Sequence, residues 1–489
     1  MTSNTRNPGS SARSTNLKFV ALIALIVAAF VMGGGARHDI ISLAVLRPVA
    51  ILLGAAAVIL WARGNPLQIA RAPLLGLMAF AILLLLQLFP LPPGLWRLLP
   101  GHDVIAQIED AAGMTGRWRP LSLAPSRTLN TLLSLSIPAA MLLLLAAQSQ
   151  DVYRRIVHTF VILGGVSAVL GVLQLAGGQN SALYFYDVIN KGYPVGLFTN
   201  RNHQAIFMVC LIPMLAWVAV RAFARKTSRD SVSPGFVMAA CIGLLLLIWT
   251  IVILAGSRGG LLLAVVAMPM AVWVVRPEMN ALTANHRSGR SKHASKNSFF
   301  DKLRTSGKVK WGLAMGASLL VGIFVVGILL QTDTVTTNRL ATGEVDTEFR
   351  VRIFGPSVEL MQTYFPWGTG FGAYDAVFRA VEPTDMVGPS YVNHAHNDWL
   401  QIIIEGGIPA LLIALAMLAW LGVRTLQVMR STSEGASRER LAVAVLAILL
   451  IASAYDYALR TPAIMVVAAF FAFSLCRPSV ILRQPNRSN

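Results

Sequence analysis

Apolar runs long enough to cross a lipid bilayer recur from one end of this 489-residue chain to the other. A membrane-spanning helix needs roughly 20 mostly apolar residues, because an α-helix rises about 1.5 Å per residue and the hydrocarbon core is about 30 Å thick. About twelve runs meet this requirement. We therefore predict an all-α, polytopic integral membrane protein. The predicted span cores are Phe19–Gly35, Ile40–Trp61, Pro73–Phe89, Leu129–Ala147, Ile156–Ala176, His203–Val220, Phe236–Ala255, Gly260–Val275, Trp311–Leu330, Leu400–Val423, Leu441–Tyr455 and Pro462–Leu475.

The distribution of charge predicts the orientation of these spans. With the N-terminus in the cytoplasm, most of the 41 Lys and Arg residues and few of the 22 Asp and Glu residues fall on the cytoplasmic side. This asymmetry is the one that the positive-inside rule requires. Residues 1–18 and 476–489 are then cytoplasmic tails, and residues 19–475 form a single transmembrane domain.

The net charge of +19 is explained by this topology. A nucleic-acid partner is not expected, because the sequence contains no compact basic domain and no platform of mixed aromatic and basic residues. The densest basic segment, residues 276–310, predicts a cytoplasmic loop that contacts anionic lipid headgroups of the membrane. Cys210 and Cys241 fall inside predicted spans, Cys476 directly follows the last span, and the three form no CxxC motif, so no metal site is predicted.

Two external segments, residues 90–127 and 331–399, are too long to be simple connections. Long loops between spans usually carry function. The second of them lies between spans 9 and 10 and is the larger. Part of it has helical periodicity, which is carried by Phe349, Ile353, Phe354 and Leu360.

The second loop ends in the sequence VNHAHNDWL, which places His394 and His396 beside a membrane span. Imidazole is the side chain best suited to moving protons near neutral pH. The alternative interpretation is helix capping, because Asn393, Asn397 and Asp398 are ordinary residues for a first turn. A His-x-His metal site is a third interpretation, although no further ligands with suitable spacing accompany it.

Arginines gather on the same predicted external face. Arg258 lies in a tight polar turn between two apolar runs, where a guanidinium is costly without a partner. The planar fork of a guanidinium matches a phosphate or a carboxylate, although each of these arginines could also be a solvated helix end or form an ion pair. Together with a titratable base they predict a convergent cationic site. The candidate residues besides the two histidines are Arg201, His203, Arg258, Arg350 and Arg352.

Glu405 lies inside the apolar run that follows the histidines. A carboxylate at membrane depth needs a partner, either an arginine or a histidine. Because Glu405 follows His396 by about two and a half helical turns, a direct contact requires the histidine loop to fold back over the helix.

In this order and membrane setting, the motifs resemble the O-antigen ligase and O-antigen polymerase superfamily of membrane glycosyltransferases. The similarity extends roughly from Asn200 to Gly422. It rests on the residues Gly256–Gly260, Arg350, Pro366–Gly370, His394–Leu400 and Glu405–Pro409.

The resemblance implies a GT-C-like fold in the bacterial inner membrane, with the active site facing the periplasm. It also implies an enzyme that transfers a glycan from an undecaprenyl-pyrophosphate carrier to an acceptor hydroxyl, with inversion and without a metal or a cofactor. The acceptor is the lipid A core in a ligase and another carrier-linked glycan in a polymerase. We favour the ligase, with the polymerase as the alternative in lipopolysaccharide or exopolysaccharide biosynthesis.

The same resemblance implies roles for individual residues. His396, directly before Asn397, matches the family's catalytic base, although His394 competes for this role. Arg258 and Arg350 match its pyrophosphate-binding arginines, and Arg352 fits the position of Arg350 as well. This agrees with the chemistry, since a sugar hydroxyl needs a positioned base and a leaving pyrophosphate needs positive charge. Arg201 is a further candidate for binding the pyrophosphate, and the supporting residues are His203, Asn397 and Glu405.

Two other classes of protein are also compatible with the sequence. A secondary transporter commonly has twelve spans with both ends in the cytoplasm. The first six and last six spans show no evident similarity, however, and large external loops with Arg and His suit a site at the membrane surface. A lipid-binding or scaffold protein without chemistry is the other alternative.

Overall fold

The described part of the chain is mostly helical. The computed structural model describes residues 8–61, 70–148, 152–224, 233–288, 344–388, 391–431 and 436–476. Within these ranges the single sheet consists of two short antiparallel strands that pair Pro90 with Pro120 and Leu91 with Arg119. The elements in chain order are α1 (Pro8–Met32), α2 (Leu43–Trp61), α3 (Arg71–Leu88), β1 (Pro90–Leu91), α4 (Pro93–Trp96), α5 (Asp103–Ala111), β2 (Arg119–Pro120), α6 (Pro125–Ser134), α7 (Ser136–Ala146), α8 (Val152–Ala176), α9 (Arg201–Ala224), α10 (Pro234–Leu254), α11 (Arg258–Ser288), α12 (Glu344–Tyr364), α13 (Tyr374–Phe378), α14 (Asp398–Arg430), α15 (Ala436–Ala452) and α16 (Pro462–Cys476), with 3₁₀ turns at Thr384–Met386 and Ala458–Arg460.

Eight stretches of helix in the described ranges are long and apolar enough to cross a membrane: α2, α3, α6 with α7, α8, α9, α10, α11 and α14. Two shorter apolar helices, Asn16–Met32 and Pro462–Cys476, accompany them. The prediction of a helical, multi-pass membrane protein is therefore confirmed. The predicted span Trp311–Leu330 and residues 289–310 of the basic loop lie outside the described residues.

The number of spans stays a prediction. The predicted span Leu441–Tyr455 falls largely in α15, which has 17 residues and begins with a charged turn that includes Arg438, Glu439 and Arg440. This is shorter than the roughly 20 residues that a bilayer crossing requires.

The chain divides into two compact units. The first comprises the described parts of Met1–Val152, Gly343–Val423 and Ile451–Cys476. In this unit α2 and α16 both pack against α7, and α1 packs against α2. Residues 90–127 form a small folded segment around the buried Trp96, whose indole N–H donates to the Pro120 carbonyl oxygen at 3.0 Å.

The second unit comprises the described parts of Tyr153–Thr342 and Arg424–Leu450. Helix α9 packs along both α10 and α11. The indole N–H of Trp217 donates to the Ser437 hydroxyl at 3.1 Å, and that hydroxyl donates to the Glu278 carboxylate. Buried polar groups thus tie the start of α15 to α9 and α11, which satisfies donors and acceptors that would be costly to leave unpaired.

Candidate active site

Helix α14 begins at a capped turn beside the two histidines. The Asn397 side-chain oxygen accepts a hydrogen bond from the backbone N–H of Leu400 at 3.1 Å. This is the contact by which Asn caps the N-terminus of a helix, since it satisfies a donor that has no partner within the helix. The capping interpretation is therefore correct for Asn397.

Two turns later α14 breaks at Gly407, which has φ 57° and ψ −152°. A Cβ atom at this position would lie 2.0 Å from the carbonyl oxygen of Pro366, so the close approach of the two backbones requires glycine. The break frees the carbonyl oxygens of Ile404 and Glu405 from the helix. Backbone N–H groups of the loop 366–373 donate to both of them at 2.9 Å. The break in the helix therefore fixes this loop against α14.

The Glu405 side chain is fully buried and is the centre of a network of charges. One oxygen accepts a hydrogen bond from Arg460 Nη1 at 3.1 Å, and the other accepts from Gln401 Nε2 and from the backbone N–H of Gly372, both at 3.0 Å. Arg460 Nε also donates to Asp398 at 2.8 Å. The expected partner of Glu405 is thus an arginine, and Gln401 links the carboxylate to His394.

Burial acts against the charge of Arg460, which lies in the turn between α15 and α16. Desolvation lowers its pKa, but the carboxylates of Glu405 and Asp398 more than offset that effect and leave the pKa raised. The guanidinium therefore stays charged. Two carboxylates share a single guanidinium here, and such a buried group tolerates little change because each charge depends on the other.

Gln401 fixes the protonation of His394. Its side-chain oxygen accepts from the backbone N–H of Ala395 at 3.0 Å, and its Nε2 donates to Glu405. These two partners assign the positions of the oxygen and the nitrogen in the Gln401 amide. The same Nε2 lies 3.1 Å from His394 Nδ1 and can only donate, so Nδ1 must be the acceptor. Neutral His394 consequently carries its ring proton on Nε2.

His396 has a different partner. Its backbone has φ 50°, and among the described residues it is the one residue other than glycine with a left-handed φ. Its Nδ1 lies 3.9 Å from Asp456 Oδ1, and the other carboxylate oxygen of Asp456 lies 3.4 Å from Arg350 Nη2. Asp456 is fully buried and also accepts from the backbone N–H of Tyr457 at 2.8 Å. A single carboxylate therefore faces both a histidine and an arginine.

The Tyr457 ring lies between the two histidines. Its centroid is 4.2 Å from that of His394 and 5.0 Å from that of His396. The ring of Phe349 makes a second, edge-to-face contact with the His396 ring, and the two centroids are 5.8 Å apart. Aromatic packing on this scale restricts ring rotation. Both imidazoles are thus held in defined orientations.

Arg350 and Arg352 have separate partners. Arg352 forms an ion pair with Asp385, whose side chain is 70% exposed. The Arg350 side chain is 30% exposed and contacts the fully buried Asp456. Of the two arginines, Arg350 is the one that shares a carboxylate with His396.

The remaining predicted residues belong to the second unit. Arg201, the first residue of α9, donates to the carbonyl oxygen of Ala255 at 3.1 Å and stacks on the Tyr193 ring at 4.4 Å. Ala255 begins the polar turn that leads to Arg258, the exposed first residue of α11. His203 is buried in the first turn of α9. Arg201 therefore meets the turn that carries Arg258.

Comparison with known proteins gives a family match over part of the chain. Residues 242–415 match the family model described as O-antigen ligase. The matched region runs from α10 into α14 and contains Arg258, Arg350, both histidines and Glu405. The matched segment is thus similar to O-antigen ligases, and the match supports a role in ligase- or polymerase-type polysaccharide biosynthesis. A search of curated proteins finds no match.

Several residues around the O-antigen ligase motifs were missed by the sequence analysis. Asp456, Tyr457 and Arg460 lie beyond the matched region, in the turn that precedes α16. Their signal was the presence of two charges in a short connection between two apolar runs. Gln401 gave no such signal, because a glutamine near a helix start is ordinary. Among the described residues, no three His, Cys, Asp or Glu side chains are grouped as metal ligands.

Proposed function

We propose that this protein is an O-antigen ligase-type glycosyltransferase. It would transfer a glycan from an undecaprenyl-pyrophosphate carrier to an acceptor hydroxyl on the periplasmic face of the bacterial inner membrane, with both termini in the cytoplasm. The lipid A core is the proposed acceptor. The observation that carries the proposal is the shared carboxylate of Asp456, which faces a base, His396, and an anion-binding group, Arg350.

His396 is the proposed base. With the Asp456 carboxylate opposite Nδ1, the favoured neutral form has its proton on Nδ1 and its lone pair on Nε2. Nε2 then accepts the proton of the acceptor hydroxyl while that oxygen attacks the anomeric carbon of the donor glycan. The Asp456 charge stabilises the imidazolium that forms.

Arg350 is proposed to bind the leaving group. As the bond from the anomeric carbon to the pyrophosphate oxygen breaks, negative charge develops on the undecaprenyl pyrophosphate. A guanidinium compensates this charge directly and can form two parallel hydrogen bonds with the phosphate oxygens. The family resemblance assigns the same role to Arg258, and that assignment rests on its sequence motif.

His394 is proposed to be a hydrogen-bond donor and not the base. Its Nδ1 accepts from Gln401, and protonation of that nitrogen would place two donors against each other. Only Nε2 remains, and it already carries the proton in the neutral ring. His394 therefore suits the orientation of a sugar oxygen.

The test compares His396→Gln with the matched control His394→Gln, each expressed in a strain that lacks the native gene. Surface glycans are separated by gel, and transfer is measured with the purified chain. Loss of a general base lowers kcat by about 10²- to 10⁴-fold, and we expect a smaller loss for His394→Gln. Normal surface glycan in the His396→Gln strain would contradict the proposal.

The same strains distinguish ligase from polymerase. Without a ligase, the lipid A core lacks long glycan while the carrier-linked polymer accumulates. Without a polymerase, only single-repeat products reach the core. The second outcome would replace the ligase with the polymerase and leave the assignment of His396 unchanged.

A further inference from the structure

A second group of cationic side chains surrounds Tyr391, five residues before His396. The guanidinium carbons of Arg37 and Arg379 each lie 5.3 Å from the centre of the Tyr391 ring. Arg127 on α6 forms an ion pair with Asp375 of α13, and the second oxygen of that carboxylate lies 3.9 Å from Arg379. Three distant segments of the first unit thus bring their arginines to one place.

The carboxylates at this place do not balance the arginines. Asp375 is shared by Arg127 and Arg379, and Asp39 forms an ion pair with Arg37 at 2.5 Å. Among the described residues, three guanidinium groups are therefore matched by two carboxylates. We call Arg37, Arg127, Arg379 and the tyrosine ring between them the Tyr391 cluster.

A fourth arginine adds to this excess of positive charge. Arg47 on α2 donates to the neutral side chains of Asn130 and Ser134 on α6, the latter at 2.9 Å. The Asn130 amide in turn donates to the backbone carbonyl oxygen of His38 at 3.4 Å, which connects Arg47 to the loop that carries Arg37. Burial lowers the pKa of His38, and the charge of Arg127 lowers it further. The surroundings of this loop are thus electropositive.

The Tyr391 cluster is partly exposed to solvent and contains the tyrosine five residues before His396. The side chains of Arg379, Arg127 and Arg37 are 58%, 23% and 20% exposed, whereas Asp375 is buried beneath them. The pKa of Arg37 is raised mainly by its hydrogen bond with Asp39 and also by Tyr391 and Tyr457. Tyr457 is the ring that contacts both His394 and His396. An anion bound at the cluster would therefore contact the chain segment that leads to the histidine loop.

The geometry of an inverting displacement suggests which substrate carries this anion. The acceptor oxygen must approach the anomeric carbon from the side opposite the leaving pyrophosphate. Arg350, proposed to bind that pyrophosphate, comes from α12, whereas the cluster is built from the loop after α1, from α6 and from the end of α13. Arg350 and the arginines of the cluster are therefore supplied by separate elements of the first unit.

We propose that the Tyr391 cluster binds a phosphate or carboxylate group of the acceptor glycan. Bidentate guanidinium groups suit such anions, and the tyrosine ring offers a flat surface on which a sugar can pack. The inference rests on the proposed glycosyl transfer. It adds that the acceptor is anionic near its reacting hydroxyl.

The test uses the double variant Arg37→Gln, Arg379→Gln in the full-length chain, with a phosphorylated acceptor oligosaccharide and its dephosphorylated form. Arg127 is left intact because its ion pair with buried Asp375 supports the fold. We expect the KM for the phosphorylated acceptor to rise by about 10-fold or more, as for lost charge-assisted hydrogen bonds. The KM for the neutral acceptor, the KM for the donor and kcat should stay within twofold. The matched control is Arg97→Gln, an exposed arginine paired with Asp110 in the same unit.

Three results would overturn the inference: an unchanged KM for the phosphorylated acceptor, an equal change with both acceptors, or a raised KM for the donor. A change in KM that depends on the anionic lipid content of the membrane around the protein would assign the cluster to lipid headgroups. This result would overturn the inference too. Direct binding of the phosphorylated oligosaccharide to the His396→Gln chain separates the two proposals. Full transfer by the His396→Gln chain refutes the assignment of His396 as the base. Loss of binding in the double arginine variant supports the Tyr391 cluster as the acceptor site, whichever residue is the base.

Discussion

Replacement of Asp456 with asparagine removes a buried negative charge and keeps the size of the side chain. The carboxylate oxygen lies 3.9 Å from His396 Nδ1. Once His396 has taken the acceptor proton, imidazolium and carboxylate attract each other by about 4 kcal/mol at an effective dielectric constant of about 20. Since about 1.36 kcal/mol corresponds to a factor of ten in rate, full loss lowers kcat about 10³-fold. The amide dipole retains part of the attraction, so we expect a fall of about 10²- to 10³-fold.

The assay is the initial rate of glycan transfer at saturating donor and acceptor, with the purified chain in lipid nanodiscs. Asp385→Asn is the matched control, because Asp385 also forms an ion pair with an arginine of α12 but is largely exposed. Exposed ion pairs contribute about 0–1 kcal/mol, so this variant should keep normal kcat. A kcat within twofold of the unmodified chain for Asp456→Asn, or an equal loss in both variants, would refute the reasoning.

Two further predictions concern the stability of the site. Gly407→Ala should lower the free energy of unfolding by about 2 kcal/mol or more, because the new Cβ would clash with the Pro366 carbonyl oxygen and the backbone is left-handed at this residue. Chemical denaturation measures this change. The control is Gly422→Ala, which has open space around the new Cβ and should be neutral or stabilising. Arg460→Gln should cost about 3–5 kcal/mol, because it leaves buried Glu405 and a second carboxylate without a counter-charge, and a thermal midpoint equal to that of the unmodified chain would contradict this.

The sequence predicts those parts of the site that depend on local structure. Helical periodicity indicates α12, and Ile353 and Leu360 are buried in it as that pattern requires, although Phe354 is exposed. Asn397 is recognisable as a cap because capping involves neighbours three residues away. Glu405 is recognisable as a residue in need of a partner because a carboxylate in an apolar run is costly by itself.

The partners themselves are not predictable from local patterns. Arg460 is 55 residues from Glu405, and Asp456 is 106 residues from Arg350. Periodicity and capping carry no information at these separations, because such contacts form only when helices pack. The choice between His394 and His396 likewise depends on what each ring faces: an amide in one case, a carboxylate in the other.

The coincidence of several unfavourable features argues that this region is functional. A histidine in left-handed backbone, a break inside an apolar helix and a buried cluster of charges each cost free energy. Apolar side chains of similar volume are often as good as a buried ion pair for stability. Stability alone would therefore not favour Asp398, Glu405 and Arg460 at the end of α14 nearest the histidines. Their arrangement is explained if the network holds the histidine loop rigid for chemistry, since a precisely placed base requires support from residues that do not react.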